Sequence, residues 1–375
     1  MEVKPGYKQT EVGVIPDEWR IKQLKDMFDI KAGGDYQPKH SSLYENDEFR
    51  YPIYANALTN KGLYGFADYF TDDCNTITVT ARGKLGYSVY RDHPYVSIGR
   101  LLTLHPHNIE VNGVFYAEYL NQFVNFIQES TGVPQLTSPQ IGRVVVPLPP
   151  REEQDSISSM LTDTDTLITS LEKLIEKKKN IKQGVMQELL TGKRRLPGFS
   201  GEWETKRLSA VAIIQKGEQL NADDFIKHGD YPVMNGGISP SGYTEFYNAE
   251  ALTLIISEGG NSCGYVNFMR TRFWLGGHCY SINTKQNTLF LYYLLKSNEP
   301  SIMSLRVGSG LPNIQKNRLS ELMLSLPGIS EQSALADTLV DLDNEVQANE
   351  TILNKYRLIK QGMMQELLTG RIRLI

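Results

Sequence analysis

The chain has 375 residues, of which 40% are hydrophobic and 22% are charged, and its formal net charge at pH 7 is −4. This length predicts about two domains, and the apolar fraction suffices for sizeable cores, which excludes a disordered chain. No apolar run reaches the roughly 18 residues of a membrane span, and the first residues contain no apolar leader, so we expect a cytoplasmic protein without a membrane partner. The net charge excludes a uniformly basic coat for nucleic acid but not local basic patches.

The first part of the chain, residues 1–150, predicts an α+β domain. Short β-rich runs at 75–80 and 87–90 are separated by Gly and Asn turns, and 113–129 reads as a helix. We expect a twisted, mainly antiparallel sheet.

Residues 151–192 predict one long helix. Pro149 and Pro150 precede it, Thr191 and Gly192 follow it, and no proline interrupts it. Acidic residues crowd its first half and lysines its second half, as the helix dipole favours. About 40 residues correspond to a helix about 60 Å long.

The same order of elements then returns. Residues 193–328 predict a second α+β domain, with a strand at 252–256 and a helical stretch at 288–305. Residues 329–375 predict a second long helix and a short C-terminal tail, with Pro327 before the helix and Gly370 after it.

The chain is an internal repeat. Residues 182–196 and 360–374 are identical at twelve of fifteen positions, with an offset of 178. The offset drifts toward the start, to 180 between Tyr51-Pro52 and Tyr231-Pro232. The helices have therefore stayed similar while the globular parts have diverged, which indicates one shared role for the helices and two separate roles for the domains.

Both helices carry a heptad seam, which favours pairing of one helix with the other. Apolar residues recur with 4-3-4-3 spacing at Ile157, Leu161, Ile168, Leu171 and Ile175 in the first helix and at Leu335, Leu339, Leu342, Val346 and Leu353 in the second. Because a whole domain separates the helices, we expect an antiparallel coiled coil. The alternative is that each helix packs on its own domain as an ordinary amphipathic helix.

The sequence lacks the motifs of a complete enzyme. It contains no P-loop, no HExxH motif, no GxSxG motif and no glycine-rich methyl-donor loop paired with an Asn-Pro-Pro-Tyr motif. The six histidines never stand at metal-ligand spacing on a helix, and the three cysteines form no CxxC pair. We therefore predict a binding module with no catalytic residue, no metal and no cofactor in this chain.

Four segments carry a resemblance to a known family. They are the opening 6–19 (GYKQTEVGVIPDEW), the helix entry 148–154 (LPPREEQ), the helix exit 182–192 (KQGVMQELLTG, repeated at 360–370) and the junction 195–203 (RLPGFSGEW). Together they resemble the specificity subunit of type I restriction–modification enzymes, and the resemblance covers the whole chain. The second helix entry, 326–332 (LPGISEQ), carries fewer charges than the first.

The resemblance implies a subunit that reads DNA for a larger enzyme. Each globular part would be a target recognition domain, and together they would read a bipartite, asymmetric site in double-stranded DNA. The helices would set the gap between the half-sites, at most about 17 base pairs for a rod of about 60 Å. They would also dock two modification (methyltransferase) subunits, with a restriction/translocase subunit where the system has one. S-adenosylmethionine, ATP and magnesium are expected only in those partners, so this chain alone neither cuts nor methylates.

Two matched pairs of loops are the predicted DNA-reading elements, because they carry the residue types that contact base edges. Loop 80–86 has Arg82 and Lys84, and its counterpart 257–264 has Asn261 and Ser262. The second pair, 132–138 and 310–316, contributes Gln135, Thr137, Ser138, Asn313, Gln315 and Lys316. These loops also resemble loops that meet DNA in the family. In the alternative interpretation, glycine and proline only shape these turns, and the polar residues are solvated.

Phosphate contacts are predicted at Lys39, His40, Arg143, Arg306 and again Lys316. The basic run 177–179 either contacts the DNA backbone or is a solvated helix face. Two other functions remain open: a non-enzymatic scaffold with two ligand-binding domains on a coiled coil, and an enzyme with its chemistry in the globular parts. Steep salt dependence of DNA binding would distinguish a DNA-reading subunit from both of these alternatives.

Overall fold

A computed structural model of the chain describes residues 4–126, 135–308, 310 and 312–374. It separates into two compact units, residues 1–171 with 352–375 (unit 1) and residues 172–351 (unit 2). The units therefore do not coincide with the two sequence repeats, because each unit takes part of both long helices. Among the described residues, no helix combines the length and the apolar character needed to cross a bilayer.

Unit 1 is built on two four-stranded sheets. Its strands are β1 Tyr7–Thr10, β2 Gly13–Pro16, β3 Arg20–Gln23, β4 Phe28–Ala32, β5 Ser41–Ser42, β6 Tyr51–Tyr54, β7 Leu63–Ala67, β8 Thr76–Val79, β9 Ser88–Arg91, β10 Val96–Ser97, β11 Leu102–Pro106 and β12 Val145–Leu148. The main sheet is antiparallel throughout, in the order β4-β11-β8-β9. The small sheet has the order β10-β6-β7-β5, and β10 runs parallel to β6. Two-stranded pairs join β1 to β2 and β12 to β3.

The helices of this part of the chain are α1 Gly113–Phe123, α2 Ser138–Gly142 and α3 Arg151–Leu189. The helix predicted at 113–129 ends at Phe123, since Val124 already has extended backbone, and residues 127–129 lie outside the described part of the chain. The Asn112 side chain caps α1 by accepting hydrogen bonds from the backbone N–H groups of Val114 and Phe115.

Unit 2 repeats the arrangement. Its strands are β13 Glu204–Arg207, β14 Ala212–Lys216, β15 Tyr231–Met234, β16 Gly242–Thr244, β17 Thr253–Ser257, β18 Val266–Met269, β19 Trp274–Leu275, β20 Cys279–Thr284 and β21 Met323–Leu326. The main sheet is antiparallel in the order β14-β20-β17-β18, and the small sheet has the order β16-β15-β19 with β19 parallel to β15. Its short helices are α4 Leu208–Val211, α5 Thr288–Ser297, α6 Glu299–Ser304 and α7 Lys316–Ser320, so the stretch predicted at 288–305 is two helices. The last helix, α8, spans Ile329–Leu367.

The two long helices run antiparallel within each unit, as expected for helices that a whole domain separates. In unit 1, Lys360 Nζ lies 2.7 Å from Asp165 Oδ2. In unit 2, Lys179 Nζ lies 2.6 Å from Glu350 Oε1, and Lys178 pairs with Glu345. Residues later in α3 therefore pair with residues earlier in α8. Every seam residue is buried or partly buried: Ile157, Leu161, Ile168, Leu171, Ile175, Leu335, Leu339, Leu342, Val346 and Leu353.

The basic run on α3 is therefore partly explained by helix pairing. Lys178 and Lys179 each pair with a carboxylate of α8. The two interpretations of this run given above, a contact with the DNA backbone and a solvated helix face, did not include this pairing. One turn later, Lys182 pairs with Asp343, and this carboxylate also accepts a 2.6 Å hydrogen bond from the Tyr293 hydroxyl.

Each core is completed by the helix of the other repeat. In unit 1, Leu367 and Leu368 are at most 3% exposed and pack in the same cluster as Ile157 and Leu161 of α3. In unit 2, Leu189 and Leu190 pack with α5 and the start of α8. The recurring Leu-Leu-Thr-Gly segment thus completes a core twice.

The repeated polar motifs also have structural roles. Arg373 Nε donates to Glu153 Oε1 at 2.5 Å, and the Trp19 indole N–H donates to the other oxygen at 2.8 Å. The equivalent Arg195 makes two 2.6 Å hydrogen bonds to Glu331. A buried carboxylate needs such partners, since burial removes its hydration. The Glu-Gln and Arg-Leu motifs therefore hold chain segments that are distant in sequence.

Candidate nucleic-acid interface

The loop after β8 in unit 1 is shaped by one threonine. Thr80 closes it at both ends: its backbone N–H donates to Tyr87 O at 3.0 Å, and its hydroxyl donates to Lys84 O at 2.5 Å. Gly83 and Gly86 have φ of 71° and 83°, which glycine adopts without strain. Arg82 and Lys84 are exposed on this loop.

A second predicted loop of unit 1 lies directly against the first. Arg82 and Gln135 form an isolated antiparallel bridge, and Leu136 N donates to Ala81 O at 2.9 Å. Leu136 is 4% exposed and anchors the contact in the core, while Gln135 is exposed. The two loops, separated by 45 residues in sequence, thus form one polar edge. Residues 132–134 of the predicted loop lie outside the described part of the chain.

The next residues of unit 1 begin α2. The backbone N–H and the hydroxyl of Thr137 donate to Gln140 Oε1 at 2.9 Å and 2.8 Å, so Thr137 is the cap of this helix. Ser138 is its first residue and is partly buried, and Arg143 is exposed at its C-terminal end.

Lys39 and His40 lie on another element of unit 1. Both are exposed in the 3-10 turn Pro38–His40, which leads into β5 of the small sheet. His40 Nδ1 lies 2.9 Å from Asp68 Oδ2.

Unit 2 brings its two predicted loops together in the same way. Gly259 and Asn313 form an antiparallel bridge, and Gly260 N donates to Pro312 O at 3.0 Å. Asn313, Gln315 and Lys316 are exposed, and the last two start α7. Leu311 of this loop lies outside the described residues.

The unit 2 loop is one residue longer than that of unit 1. Ser257 N donates to Tyr265 O at 2.9 Å, which matches the 3.0 Å bond from Thr80 N to Tyr87 O. The predicted loops 80–86 and 257–264 already differ by this one residue, so Thr80 corresponds to Ser257 and Arg82 to Gly259. At the position that forms the bridge to the second loop, unit 1 has an arginine and unit 2 has a glycine.

Side chains brace the longer loop from inside. The Ser262 hydroxyl donates to Gly236 O at 2.6 Å, and Arg306 Nε donates to Cys263 O at 2.8 Å. Burial raises the pKa of the Cys263 thiol, which therefore stays neutral. Asn261 is the exposed polar residue at the tip. Ser262 and Arg306 thus position this loop through contacts within the protein.

The floor of the loop holds a partly buried carboxylate. Glu258 Oε1 accepts hydrogen bonds from Lys216 Nζ at 2.8 Å and from the Tyr280 hydroxyl at 2.9 Å. Burial, followed by the bond to Glu258, raises the pKa of Tyr280, so its hydroxyl remains a donor. No sequence motif surrounds Glu258, so its role does not follow from the sequence.

The described residues contain no group of three or more His, Cys, Asp or Glu side chains able to hold a metal ion. What each unit offers is an exposed polar edge of two loops, basic in unit 1 and amide-rich in unit 2. Amide and guanidinium groups on exposed loops suit hydrogen bonding to base edges and phosphates.

The chain is similar to known proteins over nearly its whole length. The family model described as "Type I restriction modification DNA specificity domain" matches residues 16–183 and 200–356. Two relatives from Methanocaldococcus jannaschii are a type I restriction enzyme MjaVIII specificity subunit (26% identical, covering 98% of this chain and 96% of the relative) and a putative MjaX specificity subunit (23%, covering 98% and 97%). The crystal structure of a type I restriction–modification S subunit from M. genitalium has a TM-score of 0.68 at 17% identity and covers 98% of both chains.

Proposed function

Because the chain belongs to the type I restriction–modification DNA specificity family, we propose that its two units read the two halves of a bipartite, asymmetric DNA site. As a specificity subunit with two target recognition domains, it is a non-catalytic component of its enzyme. One observation carries the proposal: each unit joins two distant loops into a single exposed polar edge, and the two edges differ in chemistry.

The difference between the edges supports an asymmetric site. Arg82 and Lys84 of unit 1 suit guanine, which offers the O6 and N7 acceptors. Asn261, Asn313 and Gln315 of unit 2 carry amides, and amides pair with adenine N6 and N7. Two edges with different donors and acceptors do not read the same sequence.

The helix pair supplies the spacer between the half-sites in this proposal. Because a regular helix has a constant rise of about 1.5 Å per residue, the number of residues in the helix pair sets one length for the gap. Half-sites about one helical turn apart would present the same face of the duplex.

The partners proposed are two modification subunits, which hold S-adenosylmethionine, and a restriction/translocase subunit, which uses ATP and magnesium. The support is apolar surface on the helices. In unit 1, Met160 and Leu167 of α3 are 40% and 37% exposed, and in unit 2 Leu174 and Ile181 continue the seven-residue spacing at 40% and 48%. Apolar residues exposed at heptad spacing suit another helix.

The test is methylation mapping of DNA from cells that express the chain together with its modification subunit. We expect one split, asymmetric motif, and replacing residues 15–147 by another recognition domain should change one half only. The purified complex should also lose DNA affinity steeply as salt rises, because phosphate contacts release counterions. A motif unchanged by the replacement contradicts the half-site assignment, and binding without salt dependence favours a scaffold for other ligands.

The partner proposal has its own test. Leu167→Glu should reduce recovery of the modification subunit in the purified complex, since a charge disfavours burial of the apolar stripe. Thr162→Glu is the matched control, because this exposed residue lies on another face of the same helix. Equal loss in both variants contradicts docking at the stripe.

A further inference from the structure

A third loop lies beside the two predicted loops in each unit. In unit 1 it joins β10 to β11 and carries Arg100; in unit 2 it joins β19 to β20 and carries His278. The two residues occupy the same position in the repeat, at an offset of 178, and both are exposed.

In unit 1, one amide connects the third loop to the 80–86 loop. Asn56 Oδ1 accepts a hydrogen bond from Ala81 N at 2.7 Å, and Asn56 Nδ2 donates to Gly99 O at 2.7 Å. The residue next to Arg82 and the residue next to Arg100 are thus held by the two ends of one side chain.

Arg100 has a strained backbone. Its φ is 62°, in the left-handed region that residues with a Cβ atom rarely adopt. Strain of this kind persists where the surrounding structure imposes it, and it is concentrated at functional sites. The Arg100 guanidinium is exposed and has no hydrogen bond or ion pair with any residue that the structure describes, so its donors are available to an external acceptor.

In unit 2, Asn235, which follows β15, contacts the third loop. Asn235 Oδ1 accepts from His278 N at 3.1 Å, and Glu258 N donates to His278 O at 2.8 Å. A Cβ atom on Gly259 would lie 3.9 Å from His278 Nδ1 and 4.0 Å from Pro312 O. The imidazole therefore stands where the two predicted loops of unit 2 meet.

We propose that Arg100 and His278 are specificity-determining residues, each contacting a base edge within the half-site read by its own unit. This inference rests on the proposed function and extends the reading edge of each unit from two loops to three. The guanidinium of Arg100 suits the O6 and N7 acceptors of guanine. A ring N–H of His278 suits a single purine acceptor.

The test uses Arg100→Gly and His278→Ala in the full chain, expressed with the modification subunit and analysed by methylation mapping. Glycine adopts the left-handed backbone freely, so Arg100→Gly removes the side chain without new strain and should not lower the melting temperature. We expect it to relax one base pair of one half-site, with discrimination there reduced about tenfold. His278→Ala should relax one base pair of the other half.

The controls are Arg50→Gly and His228→Ala, which remove exposed residues of the same types from segments outside the three loops. Both should leave the motif unchanged. If the wild-type complex methylates one split motif and Arg100→Gly and His278→Ala leave it intact, this inference is overturned while the proposed function stands. If a variant weakens binding equally for all sequences, the residue contacts phosphate, which also overturns the inference. If the wild type methylates no split motif, the proposed function itself fails.

Discussion

The small sheets of the two units share the pairing of their central strands but differ in the chemistry of the side chains buried nearby. The bridge between Asp72 and Tyr95 in unit 1 corresponds to the bridge between Ala249 and Phe273 in unit 2. Around it, unit 1 buries the hydrogen-bonded side chains of Asp72, Arg91 and Ser97, whereas the corresponding positions of unit 2 carry Ala249, Met269 and Leu275. One topology therefore supports either interior, provided that the polar one satisfies its hydrogen bonds.

Asp72 is the centre of the polar interior. The residue is 4% exposed, and its carboxylate accepts hydrogen bonds from Ser97 and Thr71 at 2.7 Å and contacts His105 Nε2 at 3.1 Å. Burial alone would raise the pKa of Asp72, but the bonds from His105, Ser97 and Thr71 outweigh it and hold the pKa at about 2.

Arg91 is the second charged residue of this interior. It is 4% exposed, donates from Nε to Thr78 Oγ1 at 3.1 Å and lies 3.4 Å from the centroid of the Tyr54 ring. Its terminal nitrogen donates to Lys61 O at 2.6 Å, which holds a turn whose backbone is left-handed. Its counterpart at the end of β18 is Met269.

In unit 2 the same space is filled by Phe273, Ile255, Leu275 and Cys279, each at most 6% exposed. Burial raises the pKa of the Cys279 thiol to about 11, so it packs as a neutral group. This interior depends on shape and volume, whereas that of unit 1 depends on the pairing of each polar atom.

The largest effect is expected where packing carries the stability. Phe273→Ala should destabilise unit 2 by about 3–5 kcal/mol, because it removes a fully buried ring and leaves a cavity. Tyr95→Phe, at the equivalent position, should cost only about 1 kcal/mol, since it keeps the ring and loses one hydrogen bond to Thr76. Hydrogen exchange read separately on peptides of each unit checks both values. Equal losses would contradict the contrast.

Arg91→Met places the unit 2 residue in unit 1. We expect a loss of about 2–3 kcal/mol, because the Lys61 carbonyl and the Thr78 hydroxyl lose their donor and the Tyr54 ring loses its cation. Protection of peptides around 59–63 should fall first. Arg50→Met, at an exposed position, is the control, and a tolerant Arg91→Met protein would show that the polar interior is dispensable.

Asp72→Asn should cost about 2 kcal/mol at pH 7 and change the acid response. Since the folded pKa of about 2 lies below the unfolded value, the carboxylate stabilises the protein above about pH 4. That contribution is lost as the pH falls from about 4 toward 2. The variant should therefore show a flatter decline than the wild type in urea melts over this range, and parallel curves would count against the network.

The smallest effect concerns a matched backbone position. Asn75 and Leu252 precede β8 and β17, and both are left-handed, with φ of 61° and 59°. Asparagine tolerates this conformation better than leucine. Leu252→Asn should therefore stabilise unit 2 by about 0.5–1 kcal/mol, whereas Asn75→Leu should destabilise unit 1 by a similar amount. Thermal melts of the two variants measure the opposite signs directly.

Part of this architecture could be read from local pattern. The repeat, the two long helices and their seam follow from residue spacing, because helix periodicity involves residues only three or four apart. The turns at Gly86 and Gly264 also follow from residue type, since both need positive φ. The loops that carry Arg82 and Asn313 can therefore be predicted from residue type alone.

Tertiary structure alone decided which distant segments meet. No local signal indicates that Gln135 lies against Arg82, that Arg373 pairs with Glu153, or that Arg100 belongs beside the reading loops. Nor does spacing show that Asp72 is buried, because its neighbour Asp73 makes the pair resemble a solvated turn. The amino-acid sequence by itself determined the elements and their repetition, since these depend on neighbouring residues. Strand pairing, the contact between the two loops of each unit and the polar interior of unit 1 depend on contacts across the chain, which only the folded structure establishes.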